Sequence, residues 1–470
     1  MYKLHLRRTS CVEPPHYPHK DPILGLDLFL QYTRAFRSHT FLDFSTHIFV
    51  THGKTFKCNV LGTPTFRTAD PQVSKAVFAT HASSFGLYPI AKHIWGNGII
   101  VVDGERWNHG RALMWGSFEV VHLRNFERLE RHVDVFMGLL PQEGETVDLM
   151  PLFQRLILDT SSEFIFVEAM GALQNSTFST KFTDAFTYAQ KGTANRAMLK
   201  RFKFLYRDEK WWAACKLITD YADEHVEKAL QRLRDRKESD KGQLRLVDEA
   251  SNPTLMAQDT QDKYTLRCHI ISVFSPAHDG AAITLLNALV HLSRHPTVWR
   301  NLKSEILPTQ LEPLNYELLN SCKYLTHVLK ETHRLTPIVT LNQRHCLTTA
   351  TLPTGGGPTR TTPLLIPRGS NIDINYRAMM RDPDFWGPDA NVFVLERWDT
   401  IRPGWEYTPF GGGPRSCPGR RLVFTECAYM LVRLLRAFGG SECRDGVGEW
   451  REEMRMTFQG RNGCLVGLVR

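Results

Sequence analysis

Residues 409–421 read PFGGGPRSCPGRR, and they place one cysteine, Cys417, behind three glycines and an arginine. Pro418 follows it, and proline is favoured in the first turn of a helix because its missing N–H is not needed there. The spacing therefore predicts Cys417 at a helix N-terminus, where free backbone N–H groups and the positive end of the dipole favour a thiolate. Gly411, Gly412 and Gly413 allow a tight turn and a close approach to a flat ligand. Arg415 offers a planar fork suited to a carboxylate, and Phe410 can screen the sulfur from water. A thiolate, close backbone approach and a carboxylate clamp together describe a haem iron ligand with a propionate partner. Two other readings are a buried small hydrophobe and a nucleophile at a helix start. The nucleophile would need a paired His or Asp, and none is indicated.

Other residues have suggestive spacings. Glu331 and Arg334, in KETHR, lie three apart and share a helix face, a pattern that also arises as an ordinary surface ion pair. Trp107 and Arg111 lie four apart in WNHGR, Arg344 stands in LNQRHC, and Arg397 in FVLERW. His291 and His295 have the spacing of a zinc pair but lack a third ligand. TGGGP is read as a turn, and NST at 175–177 as an idle glycosylation pattern.

The loop matches F-x-x-G-x-R-x-C-x-G at Phe410, Gly413, Arg415, Cys417 and Gly419, and so resembles the cysteine loop of the cytochrome P-450 family. The resemblance implies haem b with Cys417 as its axial thiolate, cradled by Phe410, Gly411, Gly413, Arg415 and Gly419. It implies a buried Glu331–Arg334–Arg397 lock, structural rather than catalytic, with Leu395 in place of the usual proline. Trp107 and Arg111 match the family's W-x-x-x-R helix, and Arg344 resembles a further propionate-binding position. Arg111, Arg344 and Arg415 are then three candidate cations for two carboxylates. The likeness runs over nearly the whole chain. YAQKG, TLPTGGGP and ECAYMLVRLLRAF look most like the fungal group that oxidises n-alkanes and fatty acids.

The family's oxygen-activating helix carries A-G-x-D/E-T, an acid and an alcohol that deliver protons for O–O cleavage. Here the stretch is AHDGAAIT: Ala277 fits, His278 replaces glycine, and Gly280–Ala281 fill the acid–alcohol positions. Asp279, one position early, or His278 is then the candidate proton donor, unless a substrate hydroxyl supplies the group. The preferred expectation is a monooxygenase acting on an apolar small molecule (fatty acid, alkane or lipophilic secondary metabolite), fed by an NADPH-dependent flavin reductase. Its alternatives are a reductase-independent haem-thiolate isomerase or dehydratase, and a catalytically silent haem-binding protein.

The elements that must position these residues follow from patterning. Apolar residues at three- and four-residue intervals make 71–235 mostly helical, and 262–295 a long central helix that Pro276 kinks or relieves of a hydrogen bond. A further helix, YELLNSCKYLTHVLKETHRL, stops at Pro337, and a last one starts at CPGRR. The expectation is a mainly α fold with a small β-rich lobe, with strands around 46–68 and after Pro337. Residues 1–45 are read as a tether and 46–470 as one haem-binding domain. The substrate would lie over the distal face, between 274–284 and the aromatic-rich 182–206 region.

With 42% hydrophobic and 23% charged residues among 470, the chain is globular in composition rather than disordered. Ten scattered cysteines without a CxxC pair argue against a disulfide framework or a cysteine zinc site. The charge of +9 suits an acidic protein partner or an anionic membrane surface, and no nucleic-acid signature accompanies it. No run reaches the roughly 18–20 apolar residues of a membrane span. The start MYKLHLRR resembles the basic flank after an anchor. Family resemblance implies the cytosolic face of the endoplasmic reticulum membrane, with the anchor absent from this chain.

Overall fold

The computed structural model describes residues 10–87, 92–115, 118, 126–238, 252–447 and 450–470. The central helix, Lys263–Arg294, is capped by Asp262, whose carboxylate accepts from the Thr265 N–H at 2.9 Å. It is buried on nearly every side, which is why its sequence shows no single apolar stripe. Pro276 does not end it but leaves the Ser272 carbonyl without its intrahelical donor. Against its first half pack Leu149–Phe166, Thr177–Met198 and Glu209–Glu238, with Phe166 and Phe182 on Phe274. Its second half packs on Lys323–Leu335 and Arg420–Ala437 through Leu285, Leu289, Val328 and Leu431.

The β lobe joins sequence from both ends of the chain. Thr55–Val60 and Thr63–Thr68 form an antiparallel hairpin. Thr63–Thr68 then pairs in parallel with Asn371–Asn375, which pairs antiparallel with Leu341–Cys346. Phe85–Gly86 completes a five-stranded sheet.

Three boundaries differ from expectation. Residues 26–45 are not a tether, because the helices Leu26–Arg37 and Phe41–His52 bury Leu28, Tyr32, Phe41, Leu42, Ile48 and Phe49 in the β-lobe core. The aromatic and β-branched run at 46–52 is helical, since Phe41, Leu42, Ser45, Ile48 and Phe49 share one helix face. The expected helix ending at Leu335 is two helices, Tyr316–Ser321 and Lys323–Leu335, broken where Cys322 takes an extended ψ of 96°.

Glu331, Arg334 and Arg397 meet in the interior. Arg334 Nε and Nη2 donate to the two Glu331 carboxylate oxygens, each at 2.8 Å, and Arg397 Nε donates to Glu331 Oε1 at 3.0 Å. The Trp398 indole N–H (3.0 Å) and the Val394 backbone N–H (3.1 Å) complete the shell around the carboxylate. The guanidinium groups spend their other donors on carbonyls of Met380, Ala390 and Trp386. Thus one carboxylate fixes the irregular chain from 380 to 398. The same helix reaches the cysteine loop, for Tyr407 donates its hydroxyl to the Lys330 carbonyl at 3.1 Å, and His333 packs edge-on against Phe410 at 4.8 Å.

Replacing Glu331 with Gln keeps the shape but strands two buried guanidinium groups. The expected loss is about 3–5 kcal/mol, measured as a lowered denaturant midpoint; unchanged stability would show that the charge is not needed.

Candidate functional site

The loop around Cys417 is built by its glycines. Gly411 and Gly413 have φ of 70° and 66°, and a side chain on Gly413 would come within 2.1 Å of the Phe78 carbonyl oxygen. The turn closes where the Cys417 N–H donates to the Phe410 carbonyl at 3.0 Å. The helix proper begins at Arg420, so Cys417 and Pro418 lie before its first turn rather than in it, a shift of the expected start. The same geometry acts on the thiol. Burial pushes the Cys417 pKa up, and it outweighs the N–H groups of Gly419 and Arg420 and the charge of Arg111. Deprotonation would fall to a coordinated metal rather than to the helix end.

Cys417 opens onto an internal cavity of ≈720 Å³ that is also lined by Trp107, Arg111, Arg344, Arg415, Phe410, Gly411 and Gly419. Arg415 lies over the Trp107 ring at 4.7 Å and donates to Asp103 at 2.7 Å and to the Val102 carbonyl at 2.6 Å. Arg111 donates to the Ser416 carbonyl at 3.0 Å. Arg344 donates to Asn342 and to the Gln343 carbonyl and rests on Phe78 at 4.6 Å. Burial lowers the Arg344 pKa to about 10. Three guanidinium groups against the one carboxylate of Asp103 leave two positive charges facing the cavity. The buried Tyr376 hydroxyl, which also lines it, has no partner. A thiol, two uncompensated cations and an orphaned hydroxyl fit an iron porphyrin with two carboxylates.

Opposite, the central helix supplies Ser275, Pro276, Ala277, Asp279 and Gly280 to the wall. Asp279 is buried, accepting from Arg455 Nη2 at 3.1 Å through one oxygen and from the Thr457 hydroxyl through the other. His278 does not reach the cavity: its ring lies edge-on to Phe186 at 5.1 Å and stacks on Phe274, and burial lowers its pKa to about 4. Its expected catalytic role is therefore not supported. A side chain at Gly280 would meet nothing within 4 Å, whereas Ala281 is fully buried. Thr284 spends its hydroxyl on the Gly280 carbonyl at 2.8 Å. His291 stacks on Phe393 at 4.6 Å, an ordinary packing contact.

Sequence reading missed several groups. Trp398, next to Arg397, donates to the same Glu331 carboxylate and could have been suspected from that adjacency. Asp103 stands four residues before Trp107 without a distinguishing pattern. Arg455 and Thr457 come from the hairpin joining Glu452–Met454 to Phe458–Gly460, distant in sequence from Asp279. Ser275 presents a buried, unpartnered hydroxyl on the cavity wall. Glu426, on the helix after the cysteine, also lines the cavity, and burial raises its pKa to about 8.

Comparison with known proteins places this geometry. The cytochrome P-450 family model matches residues 15–458. A cytochrome P-450 monooxygenase of Talaromyces variabilis, iccC, is 36% identical over 475 residues, covering 99% of this chain and 93% of its own. Another of Beauveria bassiana, tenA, is 34% identical over 98% of this chain and 92% of its own, and iliC of a Neonectria species is 35% identical over 96% and 90%. The chain belongs to the cytochrome P-450 family and is a monooxygenase of it, with the haem-thiolate cofactor that the family implies. No described helix is long and apolar enough to cross a membrane.

Arg455→Met would leave the Asp279 carboxylate buried and unpaired, at a cost of about 3–5 kcal/mol. Adding Asp279→Asn should return at least about 1 kcal/mol relative to the sum of the single losses. Additive losses in denaturant unfolding would contradict the pairing.

Proposed function

We propose that the chain inserts one atom of dioxygen into an apolar small molecule, with electrons from an NADPH-dependent flavin reductase. A fatty acid, an alkane or a lipophilic secondary metabolite is the class of substrate. The observation that carries this reading is the convergence of Cys417, Arg111, Arg344 and Arg415 on one cavity whose remaining wall is largely apolar. In it Cys417 would hold the iron of haem b, the three arginines its carboxylates, and Phe410 and the glycines its proximal face. When bound, the haem supplies dioxygen activation, which a thiolate ligand favours by pushing electron density toward O–O cleavage.

Asp279 takes the proton-handling role. A line of polar contacts holds it in place, leading from Lys191 at the surface to Glu453 (2.6 Å), then Gln459 (2.8 Å), Arg455 and Asp279, and no proton passes through Arg455 or Gln459. Arg455 holds the carboxylate in place, while Asp279 and Thr457 are the members able to exchange protons. Ser275 adds a free hydroxyl one turn away.

A basic cleft beside the cysteine loop, lined by Lys323, Lys330, Arg402 and Arg420, suits an acidic flavin reductase. Exposed apolar side chains at Ile23, Leu26, Leu30, Phe204 and Leu205 suit a membrane surface, which we place at the cytosolic face of the endoplasmic reticulum.

Turnover of dodecanoate, dodecane and related probes with NADPH, reductase and isotopically labelled dioxygen tests the reading. One labelled oxygen atom in the product is expected. Asp279→Asn should lower product formed per NADPH by about 10²-fold and raise peroxide release. Product formed only from a hydroperoxide, without NADPH, would overturn it.

A further inference from the structure

The cavity wall carries a second polar group, next to Arg344 in the chain but on the opposite face of the same strand. Arg67, Asp373 and Gln343 stand in one row across three adjacent strands, since Arg67 is paired with Asp373 and Asp373 with Gln343. Side chains of directly paired residues share a sheet face, so all three point the same way, and all three line the cavity. Arg67 is buried, with its guanidinium 4.4 Å over the Tyr32 ring and 3.5 Å from Asp373. Asp373 also accepts from Gln343 Nε2 at 2.5 Å. Its charge is already engaged.

Lys200 joins this group, in the short 3₁₀ turn Lys200–Leu205 that follows Thr177–Met198. Its ammonium is sealed from solvent and finds no hydrogen-bond acceptor. Its backbone is held at φ 47°, in the left-handed region, a conformation that costs energy and recurs at ligand clamps. The neighbouring titratable groups, Tyr32 and Cys58, do not balance it, because burial raises both pKa values and keeps them neutral. Burial lowers the Lys200 pKa, an effect that the Asp373 charge offsets and the Arg67 charge deepens, so the side-chain nitrogen stands without a protein partner and holds its full charge only beside a further anion. A buried ammonium without an acceptor is among the costlier arrangements a protein can hold. An arriving anion would satisfy it.

We propose that Lys200, supported by Arg67, forms an anion subsite that binds the carboxylate, or an equivalent anionic oxygen, of an otherwise apolar substrate. The proposal rests on the reading of this cavity as the substrate site. It makes the substrate amphiphilic, held at its charged end by Lys200 while its apolar body lies toward the Cys417 face. Lys200→Met removes the charge while keeping an unbranched apolar stem, and it abolishes an unsatisfied group rather than creating one.

The test uses haem-loaded protein and two probes of one chain length, dodecanoate and dodecan-1-ol, each titrated against the spin-state change of the Soret band. Wild-type protein is expected to bind dodecanoate at least about 10-fold tighter than the alcohol, the size of one charge-assisted hydrogen bond. Lys200→Met should erase that preference by weakening dodecanoate binding, and Lys200→Arg should retain it. Equal affinity for both probes in wild type, or a preference that survives Lys200→Met, would overturn the subsite alone. Binding of neither probe would overturn the cavity's assignment as the substrate site, and the subsite with it.

Discussion

The carboxylate of Glu331 is the point on which the proximal half of the molecule turns. Five N–H groups converge on its two oxygens: two from Arg334, one from Arg397, the indole of Trp398 and the backbone of Val394. A charge so deeply buried is tolerable only because its lone pairs are fully used. Satisfying it requires the chain from Met380 to Trp398 to take one path, since the same guanidinium groups also collect the carbonyls along it. That path carries the chain to Tyr407 and Phe410, and so sets where the cysteine loop begins. The presentation of Cys417 to the cavity is thus a consequence of an ion cluster whose members do not line that cavity.

The second constraint is electrostatic. Basic side chains gather at two places on the cavity wall, Arg111, Arg344 and Arg415 at one and Lys200 and Arg67 at the other, with a single carboxylate at each. The rest of the wall is mostly apolar. A cofactor with two carboxylates would balance the first group, and an anionic substrate terminus would satisfy the second. On the distal side the opposite holds: Asp279 meets Arg455 one for one, so that corner is neutral as a pair and reaches the surface through Gln459, Glu453 and Lys191.

The sequence disclosed what is local. The cysteine loop could be read because its glycines, arginine and cysteine lie within a few residues and each has a stereochemical reason to be there. Glu331 and Arg334 could be read as a helix pair, and the central helix from its length and cap. The missing groups are those brought together by topology. Asp279 and Arg455 are far apart in the chain, and Arg67 meets Asp373 through a parallel pairing that no local pattern announces. The tether boundary failed because two helices between 26 and 52 bury one face in the β lobe, and the strand reading of 46–52 failed because its β-branched residues fit a strand by propensity whereas that buried helix face decided it. The helix-end argument for the thiol counts N–H donors and leaves out desolvation, which pushes the Cys417 pKa up. His278 looked catalytic by position but packs among phenylalanines.

The measurement that tests the account most directly is the absorption spectrum of reduced, haem-loaded protein under carbon monoxide, recorded for wild type and for Cys417→His. A strongly red-shifted Soret band in wild type, replaced in the variant by the shorter-wavelength band of a neutral ligand, is the predicted result. A short-wavelength band in wild-type protein, or a red-shifted band that survives loss of the cysteine, would contradict the assignment of Cys417 as the thiolate ligand.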